Sequence, residues 1–388
     1  MIHLSGVCGK NTLPIEFTNC MPSWQDGVDM DIQVTRTEQA KYDFVSGLMG
    51  YNSTGIGPAM VDFYETNKRK LGPNPDLAAT KALMNQSTAY KFGAFFEFND
   101  HAMMFETVLG ILEKQKDEVI EWLDTHNEPG ALGSLSLNDD VKPPRYYKNV
   151  EIHTQPGNYH GSPFAGLMYH WMIGPFLCNR DNNDEMGWDL ANGIPRGDYR
   201  TIVDLGCGIG KSTIPYCDLY PDAEVYGVDY AAPMIKYGHK FAEQRGKKIH
   251  FVQAQAEDTP FEDNSVDLVT AIWLYHEVNR KGMDKIAKEA LRILKPGGKF
   301  AIMESPPFKV LNEQYHPLSE FLLDSTGRRM EDPFIPLFFS LDRKEIFETA
   351  GFSAVREEGL PNHLTGWSTD VNYFFGSYPW WMTIGEKA

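Results

Sequence analysis

The sequence predicts an α/β protein, with a doubly wound parallel sheet in the second half of the chain and a mainly helical N-terminal half before it. From about residue 199 onward, short apolar runs alternate with helix-like stretches. The runs that predict strands are 201–205, 224–228, 249–252, 266–272 and 299–303. Some of them, such as VDLVTAI, are apolar at nearly every position, which is typical of strands covered on both faces.

The first half of the chain has helical rather than strand periodicity. In segment 99–126 an Asn-Asp pair predicts a helix start, and apolar residues follow it at helical spacing. A polar, glycine-rich stretch at 182–197 separates the two halves. The sequence therefore predicts two domains, residues 1–180 and residues 181–388.

Composition and charge limit the classes of function. The formal net charge of −17 argues against a nucleic-acid binder, which needs a basic face to neutralise phosphates. The five cysteines include no CxxC pair, a usage that suits a reducing compartment. The N-terminus has no signal-peptide pattern, and no apolar run reaches the length of about 18 residues that a membrane span needs. We therefore expect a soluble cytoplasmic protein.

The first predicted strand runs into a glycine-rich segment, DLGCGIG, whose three glycines are Gly206, Gly208 and Gly210. Glycines allow a tight turn and a close approach of backbone to a ligand, and the helix that follows presents free N–H groups there. A dinucleotide-binding turn has a different spacing, Gly-x-Gly-x-x-Gly. Asp204, just before the first glycine, would repel a pyrophosphate and suits a ligand with a cationic end.

An acid at the end of the second predicted strand indicates an adenosine ligand. Asp229 follows the glycines by about 20 residues, the spacing at which a carboxylate accepts hydrogen bonds from both ribose hydroxyls. Nicotinamide enzymes share this feature. A nicotinamide oxidoreductase therefore stays an alternative on these residues alone, although Asp204 and the glycine spacing argue against it.

Five motifs occur in order: VDLGCGIG, YGVDY, AEDTPF, VDLVTAIWLYHEV and ALRILKPGGKFAIME. With them the chain resembles the class I S-adenosylmethionine-dependent methyltransferases, within them the ubiquinone/menaquinone-type small-molecule group, over about residues 199–304. The resemblance implies a Rossmann-like sheet with a C-terminal antiparallel hairpin, here at 354–357 and 380–385. It also implies S-adenosylmethionine as cofactor and methyl transfer to a small molecule, with an O-, N-, S- or C-acceptor left open. The alternatives are a methyltransferase acting on protein or nucleic acid, and a cofactor-binding protein without activity.

The resemblance also implies roles for individual residues. The glycines would line the methionine and ribose of the cofactor, Asp204 would help to hold its amino group, and Asp229 would bind the ribose. Ala256 and Glu257 would read the adenine edge, with Asp258 as the alternative to Glu257. The implied cofactor-binding set is Asp204, Gly206, Gly208, Gly210, Asp229, Tyr230, Met234, Gln255, Ala256, Glu257 and Trp273.

The acceptor side has weaker signals. His276 follows the fourth predicted strand, near the carboxyl-end crevice, and is a candidate general base. Support of the loop is the alternative role. The candidate substrate contacts are Tyr159, His160, Tyr169 and Tyr275.

Two further segments are candidate covers of the acceptor. The histidine- and aromatic-rich stretch at 153–171 is either a lid or an ordered linker, and its histidines lack the spacing of metal ligands, so we expect no metal site. Residues 305–340 are longer than most connections and form a candidate lid insertion. The helical N-terminal half is also a candidate surface for a homodimer.

Overall fold

The protein is described from a computed structural model over residues 30–177, 184–362 and 380–388. Two predictions fall outside these residues. They are the domain boundary at residue 180 and the absence of a signal peptide at the N-terminus. Among the helices of the described ranges, none is both long enough and apolar enough to cross a membrane.

Within the described residues, eight strands form one mixed sheet. In chain order they are β1 (Ser134–Ser136), β2 (Thr201–Leu205), β3 (Glu224–Asp229), β4 (His250–Gln253), β5 (Val266–Ile272), β6 (Leu294–Glu304), β7 (Ser353–Leu360) and β8 (Trp380–Glu386). Their spatial order is β1-β4-β3-β2-β5-β6-β8-β7. Strands β1 to β6 are parallel, whereas β8 runs antiparallel to both β6 and β7. The predicted Rossmann-like fold with its antiparallel C-terminal strands is confirmed.

Thirteen α-helices accompany the sheet in the described residues. They are α1 (Arg36–Tyr51), α2 (Gly57–Asn67), α3 (Leu77–Met84), α4 (Thr88–Leu112), α5 (Lys116–Asp124), α6 (Ala165–Phe176), α7 (Glu185–Gly193), α8 (Ile214–Leu219), α9 (Ala232–Gln244), α10 (Arg280–Ile293), α11 (His316–Arg329), α12 (Ile335–Ser340) and α13 (Arg343–Ala350). The first six belong to the N-terminal half, which is mainly helical as predicted.

The predicted helical segment 99–126 differs from the structure at its start and in its middle, where α4 ends at Leu112 and α5 begins at Lys116. Helix α4 begins at Thr88, where the side chain of Ser87 accepts a hydrogen bond from the amide of Tyr90. The Asn-Asp pair expected to cap the helix lies inside it, and the side-chain amide of Asn99 donates to the carbonyl of Phe95 at 2.6 Å. Residues 88–98 carry exposed phenylalanines and lack an apolar stripe, so no periodicity marked them as helix.

The sheet is covered on both faces. Ile202 and Leu268 belong to a cluster that includes side chains of α7 and α8, whereas Val203 and Val269 belong to one that includes α10 and α13. Alternate residues of a strand thus enter different cores. Because the order of connection reverses beside β2, the carboxyl ends of β2 and β5 border the crevice in which ligands of such sheets bind.

The N-terminal half contacts the sheet and the 305–340 segment directly. Its strand β1 pairs with β4 through Leu135 and Phe251. Its helices α2 and α3 share an apolar cluster with α11, through residues such as Tyr64, Met84 and Phe321. The division into two domains stays a prediction, and the structure adds that the first half completes one edge of the sheet.

Candidate functional site

The glycine-rich segment turns at the carboxyl end of β2. Gly206, Gly208 and Gly210 have φ angles of +66°, +53° and +83°, which side-chain-bearing L-residues rarely adopt. A Cβ atom at Gly210 would lie 2.8 Å from Cζ of Phe251, and one at Gly206 would lie 2.8 Å from Cδ1 of Leu274. The turn therefore requires glycine both for its conformation and for its packing.

Asp204 supports this turn from below. Its carboxylate is buried and accepts hydrogen bonds from the hydroxyls of Ser212 at 2.6 Å, Thr213 at 2.7 Å and Thr270 at 2.8 Å. Burial raises the pKa of Asp204, and these three hydroxyl donors lower it. The structure thus assigns Asp204 a role in holding the loop, and its predicted contact with the cofactor amino group stays a prediction.

Asp229 joins the glycine turn to the next helix. Its carboxylate accepts from the amide of Gly208 at 3.0 Å and from the amide of Ala231, just before α9, at 2.9 Å. Burial raises the pKa of Asp229 to about 6, so the group is ionised at neutral pH. The side chain is partly exposed at the carboxyl end of β3, which leaves carboxylate lone pairs for a ligand.

Tyr230 and Met234 lie beside the turn, and their predicted role in cofactor binding stays a prediction. A Cβ atom at Gly208 would be 3.5 Å from the terminal methyl of Met234. The Tyr230 ring lies 5.7 Å from the ring of Tyr147 and 5.8 Å from that of His160. Tyr147 was not predicted as a site residue, because its only sequence signal is an aromatic pair in a polar stretch of the N-terminal half.

The AEDTPF segment is held by the N-terminal half. The side-chain amide of Gln255 donates to the carbonyl of Lys142 at 2.7 Å, and Oε1 of Glu257 accepts from the hydroxyl of Tyr146 at 2.8 Å. Ala256, between them, is partly buried. The structure thus places this segment under residues 142–147, a contact that sequence reasoning missed.

Trp273 follows β5 in an uncommon backbone conformation, with φ at +53°. Its amide donates to the carbonyl of Met303 at 3.1 Å. Its ring packs edge to face, with centroid distances of 5.5 Å to Trp380, 6.5 Å to Phe176 and 6.4 Å to His276. The ring therefore has packing partners on several sides, and its proximity to a sulfonium stays a prediction.

His276 is paired with a buried carboxylate. Its Nδ1 lies 2.7 Å from Oε2 of Glu304, whose other oxygen accepts from the amide of Tyr275 at 2.8 Å. Burial would lower the pKa of His276, but Glu304 raises it to about 9. An imidazole with this pKa holds its proton at neutral pH, which does not suit a free general base. The base role stays a prediction, and the structure favours the supporting role.

The four predicted substrate contacts occupy different environments. Tyr159 is buried and donates to Oε1 of Glu277 at 2.9 Å, and the Tyr169 ring lies 6.3 Å from it. His160 is exposed beside Tyr230. Tyr275 is fully buried, with its hydroxyl 3.4 Å from the carbonyl of Met283, so its ring belongs to the core and not to a surface crevice.

A second polar cluster lies next to His276 and was not predicted as a unit. It consists of His153, His276 and Asp332, whose candidate ligand atoms all lie within 4.8 Å of one another. Nε2 of His153 is 3.3 Å from Oε1 of Glu277. Asp332 is fully buried, and burial raises its pKa to about 6. In the sequence, Asp332 stands in the tripeptide EDP after a helix, a pattern that is typical of an ordinary turn and does not indicate a site.

Comparison with known proteins agrees with this geometry. A family model described as Methyltransferase domain matches residues 202–298. A demethylmenaquinone methyltransferase of Thermus thermophilus is 35% identical over 108 residues, which are 28% of this chain and 48% of that protein. A demethylmenaquinone methyltransferase of Symbiobacterium thermophilum is 32% identical over 176 residues, 40% of this chain and 68% of that protein.

The chain belongs to the class I S-adenosylmethionine-dependent methyltransferases, of the ubiquinone/menaquinone type. The resemblance inferred from the five motifs is thereby confirmed. The chain spans about half to two thirds of the length of these relatives, at 48% and 68%. A solved phosphoethanolamine N-methyltransferase 2 of Haemonchus contortus is 17% identical, with a TM-score of 0.43 over 65% of this chain and 61% of that one.

The matched region contains the residues that are predicted to bind the cofactor. Residues 202–298 include the glycine turn, Asp229, the AEDTPF segment and His276. His153 and Asp332 lie outside the match. The family model therefore covers the expected cofactor site and, of the second polar cluster, His276.

Proposed function

We propose that this protein transfers a methyl group from S-adenosylmethionine to a small-molecule acceptor. The observation that carries the proposal is the glycine turn, whose amide at Gly208 is held by the same Asp229 carboxylate that would accept the ribose hydroxyls. The sulfonium methyl would then lie above the turn, toward the residues that follow β5. The named relatives are demethylmenaquinone methyltransferases, which supports an acceptor of small-molecule size.

The reaction is an in-line displacement, in which the acceptor atom attacks the methyl group as the bond from sulfur breaks. Most of the catalysis can come from holding the two reactants at attack distance and in line. The proposed acceptor contacts are Tyr159, which donates to Glu277, and Tyr169, whose ring lies 6.3 Å from that of Tyr159. An O-, N-, S- or C-acceptor is compatible with this arrangement.

Two properties of the chain bear on its partners and location. The net charge of −17 disfavours a nucleic-acid substrate. The thiols of Cys207 and Cys217 are free, which is usual for proteins of a reducing compartment, so we place the protein in the cytoplasm.

Isothermal titration calorimetry with S-adenosylmethionine and with NAD⁺ tests the proposed function. We expect one equivalent of S-adenosylmethionine to bind and NAD⁺ to give no saturable heat, because Asp204 and the turn spacing do not suit a pyrophosphate. Binding of NAD⁺ without binding of S-adenosylmethionine would establish the oxidoreductase alternative. S-adenosylhomocysteine serves as the control ligand, since it carries the same nucleoside without the transferable methyl.

The helical half also presents an apolar surface that we propose as a homodimer interface. Phe44 and Tyr51 of α1 and Phe92, Phe95 and Phe98 of α4 are 50–66% exposed. Exposed aromatic rings in such number are typical of protein contacts. Sedimentation equilibrium should show a dimer that Phe95→Glu dissociates, with Leu132→Glu on a loop as the matched control. A monomeric wild-type protein would contradict the proposal.

A further inference from the structure

Three side chains with metal-binding atoms meet beside the turn that follows β5. His153 comes from a short turn over Ile152–Thr154, His276 from the turn over Tyr275–Glu277, and Asp332 from the connection between α11 and α12. Their candidate ligand atoms lie within 4.8 Å of one another. Ligand atoms bound at about 2.1 Å to one tetrahedral ion are about 3.4 Å apart, so the three side chains would have to approach one another by up to about 1.4 Å for coordination.

Asp332 has little compensation for its buried carboxylate. The side chain is 0% exposed, and no side chain of the described residues donates a hydrogen bond to it. The backbone amide of Phe334 and the nearby His153 and His276 lower its pKa, but burial outweighs them. Burial of a carboxylate without a partner is strongly unfavourable unless a cation faces it. The backbone of Asp332 is fixed by a hydrogen bond from its amide to the carbonyl of Gly327 at 2.8 Å. The two backbone segments pack so closely that a Cβ atom at Gly327 would lie 2.7 Å from the carbonyl oxygen of Asp332.

Each histidine of the cluster has a carboxylate at one ring nitrogen. Glu304 accepts from Nδ1 of His276 at 2.7 Å, and Glu277 lies 3.3 Å from Nε2 of His153. Glu277 is oriented in turn by the hydroxyl of Tyr159. A carboxylate behind the imidazole fixes its tautomer and leaves the other nitrogen for a ligand, which is the usual surrounding of metal-binding histidines.

The backbone around the cluster is held in uncommon conformations. His153 and Thr154 have φ angles of +57° and +56°, and Glu331, next to Asp332, has +50°. Trp273, in the turn that leads to His276, has +53°. Strained non-glycine residues of this kind concentrate at functional sites, where the surrounding structure enforces them.

We propose that His153, His276 and Asp332 bind one divalent transition-metal ion. Two imidazoles and one carboxylate are the donor set preferred by Zn²⁺, Fe²⁺, Mn²⁺ and Co²⁺, whereas Mg²⁺ prefers oxygen donors alone. The ion would add positive charge opposite the buried Asp332 carboxylate, beside the imidazoles of His153 and His276. Three protein ligands leave coordination positions open to water or to an oxygen of a small molecule. This site is separate from the cofactor turn, so its existence does not depend on the proposed function.

Metal binding is tested on the full chain, with any affinity tag removed and after dialysis against a chelator. Titration calorimetry with Co²⁺ or Zn²⁺ should show one site per chain, and Mg²⁺ in the same range should show none. Asp332→Asn and His276→Gln should each weaken Co²⁺ binding at least 100-fold. His250→Gln is the matched control, because His250 pairs with Glu224 at 2.8 Å outside the cluster, and it should bind Co²⁺ as the wild type does.

The Co²⁺ titrations distinguish a metal site from a cluster in which the three side chains interact only through hydrogen bonds and ion pairs. Absence of stoichiometric Co²⁺ binding, or binding that is unchanged in Asp332→Asn, would overturn the proposal. If the variants fail to fold, wild-type crystals soaked in Co²⁺ decide the question. An anomalous difference peak between the three side chains supports the site, and its absence there excludes it. Because S-adenosylmethionine binding is measured separately, failure of one proposal is distinguishable from failure of the other.

Discussion

Replacement of Asp229 by alanine is expected to weaken S-adenosylmethionine binding about 100-fold. The carboxylate lies at the carboxyl end of β3 and holds the amides of Gly208 and Ala231, and we propose that its remaining lone pairs accept the ribose hydroxyls. Hydrogen bonds to a charged acceptor contribute about 1.5–3 kcal/mol each, so loss of two gives about 3 kcal/mol. Calorimetric titration of the folded variant measures the change in dissociation constant.

The neighbouring acid in the AEDTPF segment provides a control for this measurement. Asp258 is exposed, and where Glu257 reads the adenine edge Asp258 makes no cofactor contact, so Asp258→Ala should then leave the dissociation constant within a few-fold of the wild-type value. Circular dichroism should show that both variants keep the wild-type fold. An Asp229→Ala protein that binds S-adenosylmethionine with wild-type affinity would remove the ribose assignment.

Replacement of Gly210 by alanine should both destabilise the protein and abolish cofactor binding. The residue has φ at +83°, and the added methyl carbon would lie 2.8 Å from the fully buried ring of Phe251. The left-handed conformation costs about 1–2 kcal/mol for a side-chain-bearing residue, and overpacking of a core adds about 1–3 kcal/mol. Denaturant unfolding should therefore show a loss of about 2–5 kcal/mol in the free energy of unfolding.

Gly246 allows the conformational cost to be measured without the clash. It also has a positive φ, +66°, but no atom lies within 4 Å of the position that a Cβ would take. Gly246→Ala should lose only about 1–2 kcal/mol and keep full cofactor affinity. Equal losses of stability in the two variants, or normal cofactor binding by Gly210→Ala, would contradict the packing described for the turn.

The parts of the fold that the sequence predicted are those with a local signal. The strands at 201–205 and 266–272 are apolar runs with sharp ends, and the structure has them at the same bounds, Thr201–Leu205 and Val266–Ile272. The glycine turn was predicted because three glycines in alternation have few structural uses. Helix α4 was predicted to begin too late, because its first turns carry exposed aromatic residues and no apolar stripe, and the predicted segment 99–126 also ran past the end of α4 into α5.

The parts that were missed depend on contacts between distant segments. Strand β1 is three residues long and is recognised only by its pairing with β4. In the sequence, the histidines nearest to His153 are His160 and His170, and their spacing is not that of metal ligands. In the structure, the ligand atoms of His153 lie within 4.8 Å of those of His276 and Asp332. No local sequence pattern predicts that these three turns lie next to one another, because each turn is compatible with many folds.

A crystal structure with S-adenosylhomocysteine bound tests the central claim most directly. We expect the adenosine to lie beside Tyr230 and Met234, with both ribose hydroxyls on the carboxylate of Asp229 and the sulfur above the turn from Gly206 to Gly210. An empty crevice at saturating ligand, or the nucleoside bound elsewhere with Asp229 free of it, would contradict the cofactor site described for this methyltransferase.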